Sequence, residues 1–457
     1  MEEKSSEKKE RKMRDSGIPW IGEVPEGWGF PKITHILDYT HPYPIGDGDH
    51  GSIKATDYTE HGIPFIRVQN LGFATDLCLD NVVYISEAQN RTIQNSTLKP
   101  NDILFAKTGA TIGKVGIVPE SIKKANTTSH VGKITVSESI IPKYIFYVLS
   151  SNIGYRQFWD IAAQKSTRPE LSIDEIKTIR VLLPKTKEEQ QRIADYLDSK
   201  CSEIDTIIEN LRTRMESVKE YKKAVITEAV TKGLDKDVKM KDSGVEWIGK
   251  IPEGWKVCKV KQISNKITDG AHVSPDTTNG EFKFLSVTNM NDTGALDFVN
   301  CLKINSVQYA YLVRTGCQPK KDDVLISKDG TIGKTTVVSD NNFVVASSLV
   351  IIRPNQLKIR PKYLEYCLMS NIVQEQLLSV LSGLALMRRS PPRSTHLHYT
   401  SPFRSEKQQR ITDYLDSKCS EIDALLQNYK DQIATLEEYK KSLIYEYVTG
   451  KKEVPAA

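Results

Sequence analysis

Gln190-Gln191-Arg192-Ile193-Ala194-Asp195-Tyr196-Leu197-Asp198-Ser199-Lys200-Cys201-Ser202-Glu203-Ile204-Asp205 returns between Gln408 and Asp423 with one change, Ala194 to Thr412. The register holds beyond the repeat. Glu220-Tyr221-Lys222-Lys223 recurs as Glu438-Tyr439-Lys440-Lys441 at the same offset of 218 residues, and Val230-Thr231 as Val448-Thr449. The chain is a tandem duplication.

Each copy has the period of one long helix. In heptads, Ala194, Cys201, Ile208, Met215 and Lys222 fall at a, with Leu197, Ile204, Leu211, Val218 and Val225 at d. The second copy places Thr412, Cys419, Leu426, Ile433 and Lys440 at a, and Leu415, Ile422, Tyr429, Leu436 and Leu443 at d. Leu197, Ile204, Ile208, Leu211, Leu415, Ile422, Leu426 and Leu436 are the expected pairing residues. A strict seven-residue repeat implies a left-handed supercoil. Thr186-x-x-Glu189 and Ser405-x-x-Gln408 resemble capping boxes, and Gly233 and Gly450 are natural stops. A helix of about 45 residues is a rod of roughly 65 Å. Each helix could simply pack on its neighbouring domain. Near-identity that includes the exposed faces favours helices that pack on each other, or on two copies of one partner, with Lys222 and Lys440 setting the register.

A chain of 457 residues has room for two to four domains, and 39% hydrophobic with 26% charged residues is an ordinary soluble composition. No apolar run reaches membrane-spanning length and the charged N-terminus lacks a signal-peptide core, so a cytoplasmic protein without a membrane partner is expected. The seven cysteines contain no Cys-x-x-Cys and have no His at metal spacing, so they are expected to be reduced and structural, with no metal site. A net charge of +5 permits a polyanionic partner.

Lys12 to Trp28 opens the first copy and is matched by Lys239 to Trp255; clustered Gly, Pro and Trp exclude a helix there, and the tryptophans are expected to pack this segment onto the domain. Asp47-Gly48-Asp49-His50 faces Asp269-Gly270-Ala271-His272, and Phe65 to Asn70 faces Phe284 to Asn289. Asp102 to Lys114 matches Asp323 to Lys334, and helical pieces led by Pro142 and Pro361 follow. These are short strands broken by Gly turns. The expected fold is α+β: two β-rich domains in tandem, each followed by a long helix. The boundaries read as a charged tail 1–14, domains 15–187 and 234–404, helices 188–233 and 405–450, and a C-terminal tail 451–457. Near-identical helices beside drifted domains suit a common scaffold that carries two different readers. In this order, and in its Gln-Gln-Arg-Ile helix starts and Gly-Thr-Ile-Gly-Lys turns, the chain resembles the specificity subunits of type I restriction-modification enzymes from about Asp15 to Gly450.

No catalytic constellation emerges. Gly330 to Thr335 has two residues between its glycines, and Gly109 to Gly113 has three, where a phosphate-binding loop needs four. A tight turn with glycines at positive φ is the better reading, with Lys107, Lys114, Lys328 and Lys334 flanking an exposed turn where a duplex could meet them. Base-methylation motifs are absent, and Glu220-Tyr221-Lys222 lies inside a heptad helix. His50 and His272 occupy matching turns and could touch phosphate or be structural. A non-catalytic chain is expected.

The resemblance implies a chain that binds double-stranded DNA at a bipartite target, one half-site per domain. It also implies recruitment of two methylation subunits, which carry S-adenosylmethionine, and of restriction subunits; this chain holds no cofactor. The resemblance further implies that the β-rich domains are recognition domains and that the two helices pair as an antiparallel coiled coil, which would place the domains at opposite ends of the rod, as a split target requires. Arg67, Gln69, Asn70, Thr288 and Asn289 are polar candidates for reading bases, with the four lysines and Arg168 beside them. The rival reading is a structural or adaptor coiled-coil protein whose two β modules bind protein. The duplication breaks from Met387 to Arg404, where no strand pattern is legible although length is kept, as compensating frameshifts would leave it. Taken as a real protein sequence, the segment lacks the apolar residues that should close the second domain's sheet, and that domain is expected to be less stable.

Overall fold

The computed structural model describes residues 11–75, 77–164, 169–291, 293–382, 398–402 and 405–455. The chain divides into two compact units, residues 1–210 with 431–457, and residues 211–430.

In the first unit, Met13–Asp15 pairs with Glu23–Pro25 in a small antiparallel hairpin. A four-stranded antiparallel sheet follows in the order Ile45–Asp47, Val131–Ile134, Ile103–Ala106, Val115–Ile117. Beside it lies a three-stranded sheet, Val83–Ile85, Ile63–Ile66, Asn126–Thr127, whose last pair is parallel. Ile103–Ala106 reads as an unbroken apolar run because both of its faces are covered. Ile103 and Phe105 join the core that contains the helices, and Leu104 and Ala106 a second core with Leu71, Leu98 and Val131. Pro142 begins the helix Pro142–Ser150 at a first-turn position that needs no N–H donor. Asn152–Ala162 and Ile173–Thr178 follow, and then the long helix Lys187–Lys232.

The second unit repeats this topology. Its four-stranded sheet runs Ser264–Asp269, Leu349–Pro354, Val324–Ser327, Thr335–Val337, and its three-stranded sheet Leu302–Ile304, Phe282–Leu285, Phe343–Val345. Helices Pro361–Met369 and Asn371–Ser382 match the first pair, and Ser405–Val448 is the second long helix.

The two long helices pair antiparallel, and none of the assigned a or d residues is exposed. In the first unit the Lys440 ammonium meets Asp205 at 2.7 Å, and the Tyr196 and Tyr447 rings lie 4.6 Å apart. In the second, Lys222 meets Asp423 at 2.6 Å. The lone a-position lysines are thus the twin ion pairs of the seam. Asp205 and Asp423 are the last residues of the repeated stretch, so near-identity and pairing have one cause.

Gln190 and Gln408 hold each helix start in place. Gln190 Oε1 accepts the Ile141 N–H at 3.0 Å; Gln408 Oε1 accepts the Arg360 N–H at 2.9 Å, and its amide donates to Pro402 O at 3.2 Å. Thr186 caps the first helix by accepting the Glu189 N–H. Gln408 is no capping-box residue, because its side chain is committed to this clamp. The stops hold: Gly233 and Gly450 have φ of 77° and 68°. Gly450 lies against Pro25 and Trp28, and Gly233 against Trp255, so each opening segment packs on a helix end. Trp28 and Trp255 are buried as expected, but Trp247 is 57% exposed, its ring edge-on to His398.

The break in the duplication is corrected by the structure. His398–Pro402 is a strand, antiparallel to Trp255–Lys259. It closes the domain with Tyr399, Thr400 and Ser401, all buried, where the first copy buries Val181 and Leu182. Backbone pairing needs no apolar alternation, and Thr400 and Ser401 find partners: the Thr400 hydroxyl donates to Val230 O and the Ser401 hydroxyl to Pro402 O, while Thr400 O accepts from the Tyr363 hydroxyl at 3.3 Å, as Leu182 O does from Tyr144 at 3.0 Å. Residues 387–397, 403 and 404 lie outside the described residues.

Candidate nucleic-acid interface

In each unit four loops meet at one end of the two sheets. In the first, Lys107 N–H donates to His130 O, Thr128 N–H to Ile66 O, Ser129 N–H to the Asp49 carboxylate and Val115 N–H to Gly72 O. These bonds gather 47–50, 66–72, 107–115 and 127–130. In the second, Lys328 N–H donates to Ser348 O, Ala346 N–H to Leu285 O and Ser347 N–H to Ala271 O, which gathers 269–272, 285–289, 328–334 and 346–348. Within each unit the residues proposed from sequence therefore come together. Arg168 lies outside the described residues, beside Pro169, whose carbonyl accepts the Gly109 N–H.

The turns are tight, as expected: Gly109, Gly113, Gly330 and Gly333 all have positive φ, from 62° to 97°. The lysines differ from the exposed flank expected of them. Lys107 is 4% exposed and its ammonium is paired with Asp47. Lys328, 28% exposed at the side chain, meets Asp269 at 2.7 Å. Lys334 donates to Met290 O, and Lys114 lies 6.0 Å from the Phe73 ring centroid. A buried ammonium needs a counter-ion, and Lys107 and Lys328 each take an aspartate from the adjoining turn.

Asn70 and Asn289 are likewise committed to the fold. Asn70 is buried, accepts the Arg67 N–H at 2.9 Å and donates to Cys78 O at 2.8 Å. Asn289 accepts the Ser286 N–H at 3.0 Å and donates to Asn300 O at 3.1 Å. Each holds a one-turn 3-10 helix, Val68–Asn70 or Val287–Asn289, at the sheet end. Both amides are buried and bonded to backbone at each end, which makes them supports of the turn. Gln69 and Thr288, the residues just before them, are exposed. Arg67 donates to Asn81 O at 2.8 Å with its guanidinium 5.7 Å from the Tyr58 centroid. Exposed Phe73, 50% accessible, was not singled out in the sequence; nothing in its spacing marks it.

Among the described residues no His, Cys, Asp and Glu grouping could hold a metal, and no helix is long and apolar enough to cross a membrane. All seven cysteines are free.

A family model described as the type I restriction modification DNA specificity domain matches residues 49–217 and 252–435. The chain is 24% identical over 459 residues to a putative type I restriction enzyme MjaX specificity subunit of Methanocaldococcus jannaschii, across 95% of this chain and 96% of that one. It is 27% identical over 215 residues to the MjaVIII specificity subunit of the same organism, a match that spans about half of each protein, 46% and 47%. A solved chain from a study of complex assembly and conformational transition in the type I R-M system superimposes with a TM-score of 0.63 at 14% identity, over 94% of this chain and 99% of that one. That likeness is one of fold.

Proposed function

The chain belongs to the type I restriction-modification DNA specificity family, as a non-catalytic recognition subunit with two tandem recognition domains, and from that premise we propose that each domain, 15–187 and 234–404, reads one half of a split duplex target. The loop cluster at the sheet ends is the reading surface. The paired helices recruit two methylation subunits, which carry S-adenosylmethionine, and restriction subunits join that assembly.

One observation carries the assignment of the reading surface. The same 3-10 turn is held by the same buried asparagine in both domains, while its exposed residue is Gln69 in one and Thr288 in the other. A scaffold position is kept and the position beside it varies. That is what two readers of different sequence require, since glutamine and threonine present different donors and acceptors to a groove. Arg67, Gln69, Lys114, Thr288 and Lys334 are the proposed contacts near the duplex. Lys107 and Lys328 support them from beneath.

Methylation mapping in a host that supplies the partner subunits tests this. Gln69→Thr is expected to change base preference in one half-site and leave the other as it was. A target unchanged in both halves would remove the turn from the reading surface. The purified chain alone is expected to transfer no methyl group to DNA and to cleave none.

A further inference from the structure

One constellation in the loop cluster survives the drift of the domains and is not used by base reading. Asp47, His50 and Lys107 recur as Asp269, His272 and Lys328. In the first domain the Lys107 ammonium is paired with the Asp47 carboxylate, whose Oδ1 lies 3.2 Å from His50 Nε2. In the second, Lys328 is 2.7 Å and His272 Nε2 3.4 Å from Asp269 Oδ2. Both lysines belong to the turn after the central strand, and both carboxylates end the edge strand of the same four-stranded sheet. The imidazoles point outward, with side chains 68% and 66% exposed.

The platform beneath them is tightly packed in both copies. A Cβ on Gly48 would lie 1.9 Å from Thr127 O, and one on Gly270 2.1 Å from Ala346 O, so each turn is pressed against the backbone of a neighbouring strand. His50 is held at φ +47°, a conformation that costs a non-glycine residue energy and persists only where the surroundings impose it. Asp49, the other acid of the first turn, is spent on the N–H groups of Ile53 and Ser129. An exposed ring anchored by one carboxylate adds little to stability, so folding alone does not account for its retention in both domains.

On the proposed DNA-reading function, we infer that His50 and His272 are the sequence-independent contact of each domain, which binds a phosphodiester oxygen of the duplex backbone. When the ring carries both protons it can donate from both nitrogens, Nε2–H to the aspartate and Nδ1–H to a phosphate oxygen. The lysine beneath offsets the carboxylate, which leaves the outer ring as the group an anion meets. Retention follows from the chemistry. Every target has the same backbone, so a phosphate contact stays fixed while residues that read bases vary.

The test measures binding of the full chain to a random-sequence duplex of roughly 40 base pairs by fluorescence anisotropy across a potassium chloride series at about pH 5.5, because each phosphate contact made by a cationic group adds about 0.9 to the slope of log affinity against log salt. His50→Ala and His272→Ala are each expected to lower that slope by about 0.9, and the double variant by about twice as much, with the methylated target sequence unchanged. Variants that bind with the wild-type slope and affinity overturn the inference, as does a changed target sequence, which would make the histidines base readers. If the wild-type chain itself shows no log-linear salt dependence, DNA binding by this chain fails and the inference fails with it. Wild-type binding with unaffected variants condemns the histidines alone.

Discussion

Lys133 and Asp102 form an ion pair at 3.5 Å with neither side chain exposed, and burial pulls the lysine below its ordinary pKa. In the second domain the matching Asp323 pairs with Arg353, which stands at a different strand position, with Arg353 Nη2 2.7 Å from the carboxylate and the guanidinium partly exposed. Removal of one partner from the fully buried pair strands a charge in the core. Asp102→Ala is therefore expected to destabilise the first unit by about 3–5 kcal/mol in denaturant unfolding, while Asp102→Leu with Lys133→Met recovers most of that loss. A second buried charge gives a pH signature. Burial raises the carboxyl of Glu365 above its usual range, against the opposing pull of Lys362, and the first copy has Phe146 there. The folded state then holds its proton to higher pH than the unfolded chain, so the contribution is present below the ordinary carboxyl value and is lost as pH rises through the raised one. Glu365→Gln should leave stability unchanged in acid and raise it near neutrality, as thermal melts over pH 4 to 8 would reveal; equal shifts at both ends would exclude the linkage.

The long helices take their pairing from a seam that the sequence displays and from two ion pairs that it only suggests. Lys222–Asp423 and Lys440–Asp205 are equivalent under the 218-residue offset, and each lies within one unit. Lys440→Asp should weaken the seam by about 1–3 kcal/mol, the worth of hydrogen bonds to charged groups, and Lys440→Asp with Asp205→Lys should restore most of it. A reversed pair no more stable than the single variant would mean that the lysines pack by their methylene stems and not by charge. The heptad residues were legible because they recur every seven positions through an exposed surface. Gln190 and Gln408 recur in identical contexts, yet their role as clamps was not legible: the Ile141 and Arg360 amides they accept from stand at the N-caps of other helices.

For the whole molecule, each unit holds one of the two ion pairs. Removal of Ile208 to Arg214 together with Leu426 to Gln432 takes one heptad from each helix between Asp205 and Lys222 and between Asp423 and Lys440, so the pairs and the register survive. Each helix shortens by about 10 Å, roughly three base-pair steps. If the helices set the distance between half-sites, mapped methylation sites should keep their half-sites and change their gap; an active variant with the original gap would show that something else measures it. The helix order, the duplication and the α+β repeat needed no coordinates, since each rests on periodicity or identity along the chain.

The closing strand, the lysines and the helix ends needed tertiary structure. His398–Pro402 carries no apolar alternation, yet it pairs with Trp255–Lys259, because strand pairing is a backbone interaction and the neighbouring core accepts Tyr399. Lys107 looks like any turn lysine until Asp47, distant in sequence, is brought beneath it. Trp28 meets Gly450, and Trp255 meets Gly233, contacts between segments that no local pattern connects. The sequence by itself determined what repeats locally: the helical seam, the turn glycines and the duplicated order of elements. Only the tertiary structure decided which charges lie inside and which side chains remain free at the sheet ends, because burial and ion pairing depend on residues that folding alone brings together.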